Sequence, residues 1–127
     1  MKCPCCSGKT YKDCCEIAHL NLLDVKTAEA LMRSRYSAFV LANGDYLMKS
    51  HHRSTRPLNE KKSIVKWAKS VDWIKLDVVK TEQGREEDFE GFVEFKAIFQ
   101  EHGELQMIHE NSKFIKEENC WYYLSGS

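Results

Sequence analysis

The sequence predicts an α+β protein in which a small cysteine-rich module precedes three helices and a long antiparallel sheet. Five of the six cysteines lie within the first fifteen residues. Through residues 28–70, apolar residues recur at three- and four-residue intervals, which is typical of amphipathic helices. After residue 72 they alternate with polar residues, as in strands with one buried face. We assign the module to residues 1–20 and the body to residues 24–127.

The cysteines of the module form two clusters, Cys3/Cys5/Cys6 and Cys14/Cys15. A disulfide framework is typical of secreted proteins, and the first residues do not resemble a signal peptide. Adjacent cysteines also rarely bridge each other, because a disulfide needs two well-separated Cα atoms. Four thiolates suit tetrahedral zinc, so we predict a structural Zn²⁺ site in a reducing, cytoplasmic protein. Free thiols and a transient redox role are the alternatives.

Five thiols compete for four ligand positions. The spacing Cys3-x-x-Cys6 is usual in zinc knuckles, so spacing alone favours Cys3, Cys6, Cys14 and Cys15. The stretch CPCCSGKTYKDCC resembles the SEC-C motif, a zinc module in the tail of the SecA translocation ATPase. Its pattern, C-x-C-x8-C followed by Cys or His, implies the ligands Cys3, Cys5, Cys14 and Cys15. Glycine usually follows the second ligand of that motif, and here the residue is Cys6.

The helices are expected at residues 28–41, 46–51 and 59–70. Thr27, Asp45 and Asn59 have side chains that accept hydrogen bonds from free backbone amides, so we predict them as the N-caps. The strands are expected at residues 73–80, 89–100, 105–116 and 120–124. On the second strand one face carries only apolar residues, namely Val93, Phe95, Ala97 and Phe99.

Helices followed by a curved sheet resemble the cone of nuclear transport factor 2, a cystatin-like fold with a pocket at its wide end. Particular segments resemble the YchJ family of SEC-C proteins: LMRSRYSAF (31–39), DYL (45–47), His52, GFVEF (91–95), HENS (109–112), Phe114 and WYY (121–123). That family commonly has Thr-Trp-His where this chain has Ser50-His51-His52. The resemblance implies a fold and a metal, and it implies no particular reaction.

The resemblance to the cone fold implies a pocket, and several polar and aromatic residues of the chain are candidates for its lining. They are Arg33, Tyr36, His52, Trp67, Glu110, Trp121 and Tyr123. Arg33 and Arg35 point about 160° apart on a helix, so we expect one of them to be buried against a sheet carboxylate, Glu94 or Glu110. Aromatic residues of this kind are equally common in the core between a helix and a sheet.

Charge and length disfavour several function classes, among them a zinc-fingered nucleic-acid binder, which is our third hypothesis. Lysine plus arginine and aspartate plus glutamate both number 19, so no net field favours nucleic acid or an anionic membrane. No apolar run approaches the ~20 residues of a membrane span. Four thiolates also leave zinc no open position for activating water, and we predict no catalytic residues. We expect the body to stay folded when the metal is removed, because it has a core of its own.

The leading functional hypothesis is a zinc-containing adaptor that binds another protein. In SecA the similar module docks a chaperone, so the resemblance implies a protein partner here. We expect that partner to contact Lys2, Lys9, Tyr11 and Lys12. The alternative is a small-molecule-binding protein, or an enzyme of the lyase or isomerase type, that uses the cone pocket with Asp45, His52 and Glu110. The oligomeric state stays open.

Overall fold

The computed structural model describes all residues, 1–127. The helices are α1 (Cys15–Leu20), α2 (Ala28–Val40), α3 (Gly44–Lys49) and α4 (Lys61–Ser70). The strands are β1 (Asp72–Gln83), β2 (Glu90–Glu101), β3 (Glu104–Glu117) and β4 (Cys120–Gly126). The predicted α+β order is therefore confirmed: α1 belongs to the cysteine-rich module, and three helices precede the sheet in the body. None of the helices is long and apolar enough to cross a membrane.

The structure confirms one of the three predicted N-caps. Thr27 caps α2, and its hydroxyl accepts a hydrogen bond from the backbone amide of Ala30 at 3.1 Å. Asp45 was wrong as the cap of α3, because Asn43 occupies that position and its side-chain oxygen accepts from the amide of Tyr46.

Asp45 lies instead inside the first turn of α3, where its carboxylate pairs with Lys61 of α4. Asn59 was also wrong as a cap. It lies in a short 3₁₀ turn, Leu58–Glu60, and α4 begins after that turn with no side chain capping it.

The four strands form one antiparallel sheet in chain order, β1-β2-β3-β4. The turn between β2 and β3 is made by His102 and Gly103, both with positive φ, as the type I′ turn of a two-residue hairpin requires. Register shifts interrupt the pairing within β1 and near Lys113, and such irregularities bend strands. The sheet therefore curves.

The core lies between α2 and the concave face of the sheet. Along β2, the predicted apolar face is confirmed, since Val93, Phe95, Ala97 and Phe99 are all buried. Leu31 of α2 and Phe114 of β3 are completely enclosed, as are Tyr46 and Leu47 of α3 at the end of the cone. This packing fixes which side of α2 faces the sheet and which side is left for the N-terminal module.

Candidate metal centre and cone pocket

The N-terminal module is a small hairpin followed by a helix. Lys2 pairs with Thr10, and the backbone amide of Cys3 donates to the carbonyl of Lys9 at 2.9 Å. A 3₁₀ turn, Tyr11–Asp13, then leads into α1. This path brings the cysteines of the hairpin beside those at the start of α1.

The structure brings together the sulfur atoms of four cysteines. The Sγ atoms of Cys3, Cys5, Cys14 and Cys15 all lie within 4.8 Å of one another. Those of Cys5 and Cys14 are 3.6 Å apart, far beyond a disulfide length of about 2.05 Å. Tetrahedral zinc with bonds of about 2.3 Å separates its sulfur ligands by about 3.8 Å. The cluster could therefore hold a metal ion, and its donor set fits zinc.

Cys6 lies outside this cluster. Its side chain is exposed and its thiol contacts the carbonyl of Pro4. Its backbone has a φ of 66°, in the left-handed region that glycine adopts without steric cost. This conformation gives a physical reason for the glycine usual at that position of the motif. The geometry favours Cys5 over the Cys6 alternative that spacing had left open.

Hydrogen bonds among the clustered thiols shift their pKa values in opposite directions. A hydrogen bond from the Cys15 thiol lowers the pKa of Cys5 to about 4, while the same contact raises the pKa of Cys15. Burial raises the pKa of Cys14. A single thiolate is thus stabilised by neighbouring thiols. A dication at the centre would favour four thiolates instead.

The module packs against the outer side of α2. Arg33 donates from Nη1 to the backbone carbonyl of Cys5 at 2.8 Å, and its Nε pairs with Glu29 at 3.0 Å. The thiol of Cys3 lies 3.5 Å from the hydroxyl of Ser37. Arg33 therefore lies on the side of α2 that faces the cysteine cluster, so its prediction as a residue of the cone pocket was wrong.

His19 links the module to the body, and sequence reasoning missed it. Its Nε2 lies 2.8 Å from the carbonyl of Ser34, so this nitrogen must carry the proton. Its Nδ1 therefore accepts from the hydroxyl of Tyr11 at 2.6 Å. Burial lowers the pKa of His19, which favours this neutral form. His19 follows Cys15 by one helical turn, so the two side chains lie on the same face of α1. This spacing was the signal in the sequence that His19 lies near the cysteine cluster.

The predicted partner-contact residues divide into two groups. Lys2, Lys9 and Lys12 are exposed and none of them forms an ion pair. Tyr11 is half-buried, and its hydroxyl is bonded to His19. Tyr11 thus faces the module interior, contrary to the expectation that it contacts a partner. The lysines are left as the exposed basic surface of the module.

A second candidate site is a cavity of about 260 Å³ inside the cone, between α2, α4 and the sheet. Four predicted pocket residues line it: Tyr36, Trp67, Glu110 and Tyr123. Trp121 does not line it, because it is buried in the core with its indole nitrogen bonded to the carbonyl of Lys26.

His52 was also wrong as a pocket residue. It is buried beside the loop that follows α3, where its ring bonds to Ser54 and, at 2.8 Å, to Glu117. The cavity is lined instead by its neighbour His51, whose pKa is lowered to about 4 by burial. A lyase or isomerase mechanism through His52 therefore has no support from the geometry.

The buried arginine of α2 is Arg35, and it has no carboxylate partner. Its Nη1 donates to the carbonyl of Leu47 at 2.9 Å and to the hydroxyl of Ser50 at 2.7 Å. Glu110 instead accepts hydrogen bonds from Ser112 and Tyr123. Glu94 pairs with His109. The predicted ion pair between an arginine of α2 and Glu94 or Glu110 was therefore wrong.

Comparison with known proteins gives the family. The model of the YchJ middle NTF2-like domain matches residues 27–126, and the SEC-C motif matches residues 2–17. A UPF0225 protein of Vibrio parahaemolyticus is 50% identical, over 98% of this chain and 74% of that protein. A UPF0225 protein of Photorhabdus laumondii is 42% identical, over 98% of this chain and 79% of that protein.

Two solved structures share the whole architecture. The solution structure of a SEC-C motif containing protein from Rhodopseudomonas palustris has a TM-score of 0.89 and 35% identity, and covers 100% of this chain and 98% of that one. The crystal structure of a SEC-C motif containing protein from Psychrobacter arcticus has a TM-score of 0.81 and 36% identity, with coverages of 97% and 80%. The chain therefore belongs to the YchJ-like family of UPF0225 proteins and carries a SEC-C motif ahead of an NTF2-like domain.

Proposed function

We propose that the protein is a zinc-containing adaptor, in which a structural Zn²⁺ holds the N-terminal module in shape for contact with another protein. The observation that supports a metal site is that four sulfur atoms lie within 4.8 Å of one another. Thiolates from Cys3, Cys5, Cys14 and Cys15 would complete a tetrahedral shell. Such a shell has no open position for water, so the ion would serve structure and not catalysis.

The metal requires reduced thiols, which favours the cytoplasm as the location. Around four thiolates and one dication the net charge is about minus two. Arg33 of α2 donates a hydrogen bond to the Cys5 carbonyl, and this contact places its positive guanidinium beside the negative cluster. The ligands come from the hairpin and from the start of α1. The zinc would therefore hold the hairpin in the position in which it contacts α2.

The exposed lysines of the module favour an acidic protein segment as the partner. Lys2 and Lys9 lie on neighbouring positions of the hairpin, since Lys2 pairs with Thr10, and Lys12 follows in the next turn. No carboxylate of the chain neutralises these three side chains. An exposed set of like charges beside a rigid metal loop favours fast, salt-dependent association with a surface of opposite charge.

The experiment is a paired charge reversal. Lys9→Glu with Lys12→Glu should abolish binding of the protein partner that the wild type recovers by pulldown, while the zinc content and melting temperature stay unchanged. Lys62 and Lys66 are exposed lysines of α4 that also lack ion pairs, so Lys62→Glu with Lys66→Glu is the matched control. Equal loss in both double variants would show a non-specific charge effect. Full binding by the Lys9/Lys12 variant would rule out the module surface as the contact.

A further inference from the structure

We propose that the cavity in the cone binds a small organic monoanion, a molecule with an apolar body and one carboxylate that pairs with Arg35. This site is separate from the metal cluster, because Arg33 and Arg35 project from opposite sides of α2. The proposal does not depend on the adaptor role of the module.

Arg35 is the group that identifies the ligand as an anion. The residue is only 8% exposed, and its remaining surface faces the cavity. Nη1 has two protein acceptors, whereas Nε and Nη2 have none. No fully enclosed side-chain nitrogen lacks a partner, so these two atoms are reachable from the cavity. They form one edge of the guanidinium, which is the edge that binds both oxygens of a carboxylate.

The protein offsets this charge only in part, because Glu110 favours the charged guanidinium electrostatically without pairing with it. Burial lowers the pKa of Arg35 to about 10, so the guanidinium is still charged at neutral pH. The ring of Tyr123 lies 4.6 Å from Cζ and offers a cation–π contact. Glu110 is close, but its carboxylate is bonded to Ser112 and Tyr123 and forms no ion pair with Arg35. A buried cation with this incomplete pairing favours an external anion.

The remaining walls define the rest of the ligand. They are mainly apolar and aromatic, with Tyr36, Phe39, Trp67, Trp73 and Ile108 among them. At about 30 Å³ per water, the cavity has room for about nine waters, or for one small aromatic or short aliphatic acid.

Glu110 lies in the same cavity as Arg35. A second carboxylate on the ligand would meet this like charge, which disfavours dianions.

The first test compares a carboxylate with its neutral isostere on the full-length, zinc-loaded protein. Phenylacetate and phenylacetamide have nearly the same shape, and Trp67 and Trp73 in the cavity wall report binding by fluorescence. We expect phenylacetate to bind saturably and at least about tenfold more tightly than the amide, as a charge-assisted bidentate contact requires. Equal affinity for both, or no response to phenylacetate at millimolar concentration, would overturn the proposal.

The second test keeps Arg35 in place, because replacing it also breaks its bonds to Leu47 and Ser50. Ile108→Trp fills the cavity from β3, and Met107→Trp puts the same side chain on the opposite, solvent face, where Met107 is 55% exposed. Phenylacetate binding should be lost in the first variant and kept in the second. Unchanged binding by Ile108→Trp would place the ligand elsewhere and overturn the assignment.

Discussion

Arg33 donates a hydrogen bond from Nη1 to the backbone carbonyl of Cys5 at 2.8 Å, and so joins α2 directly to the cysteine-rich module. The contacts of Cys3 with Ser37 and of His19 with Ser34 extend the same interface. The module is therefore packed on the body as one unit. This packing argues against the expectation from sequence that the body is indifferent to the metal.

Removal of the metal should destabilise the whole chain. Loss of the ordered module would leave the outer side of α2 without two or three hydrogen bonds, at a cost of about 2–3 kcal/mol in unfolding free energy. Urea unfolding with and without a chelator measures this difference. An unchanged midpoint after complete zinc release would show that the body is independent, as the sequence alone suggested.

His19→Phe should destabilise the protein by about 1–3 kcal/mol, because the ring keeps its volume but leaves the Ser34 carbonyl and the Tyr11 hydroxyl without their partner. Chemical denaturation measures the loss. His109→Phe is the control, since His109 is exposed on β3, where the backbone is extended and its pair with Glu94 lies at the surface. Equal effects of the two substitutions would contradict the linking role of His19.

Cys6→Gly should keep the zinc and raise the stability by about 0.5–1 kcal/mol. The φ of 66° at this position costs nothing for glycine and is strained for cysteine. Thermal melting of the zinc-loaded variant checks the sign. A lower melting temperature, or loss of zinc, would mean that the Cys6 side chain stabilises the module.

The stability should depend on pH through His51. Its pKa is about 4 in the folded protein, because burial and Arg35 disfavour the cation, against an ordinary value of 6.5. The unfolded chain therefore binds the extra proton first as the pH falls. The stability contributed by neutral His51 is fully present above pH 6.5 and is lost progressively as the pH falls towards 4.

The difference between wild type and His51→Gln isolates this effect from other groups. Denaturation midpoints measured at steps from pH 7 downwards should fall more steeply for the wild type than for His51→Gln. Parallel curves would show that His51 is as easily protonated in the folded state as in the unfolded one.

The sequence predicts the order of elements well because periodicity reports directly on which face of an element is buried. The period-two pattern of β2, for example, matches its burial residue by residue. The motif resemblance also favours Cys5 over Cys6, where spacing alone does not. The left-handed backbone at Cys6, which explains the motif's usual glycine, is visible only in the structure.

The pocket is predicted less well, because its lining depends on how α2 and α3 are oriented. The sequence shows that Arg33 and Arg35 point apart, but only packing decides that Arg35 faces the sheet and Arg33 the module. The same holds for His51 and His52. They are adjacent where α3 ends, and the backbone bond from His52 to Tyr123 turns the second ring away from the cavity.

The most direct test of the account is the metal content of single cysteine variants, purified without a metal-binding tag under reducing conditions. Wild type and Cys6→Ser should each contain one zinc per chain by elemental analysis, because the sulfur of Cys6 lies outside the cluster. Cys5→Ser should lose most of its zinc, since only three thiolates remain. Full zinc in Cys5→Ser together with its loss in Cys6→Ser would contradict the proposed metal centre.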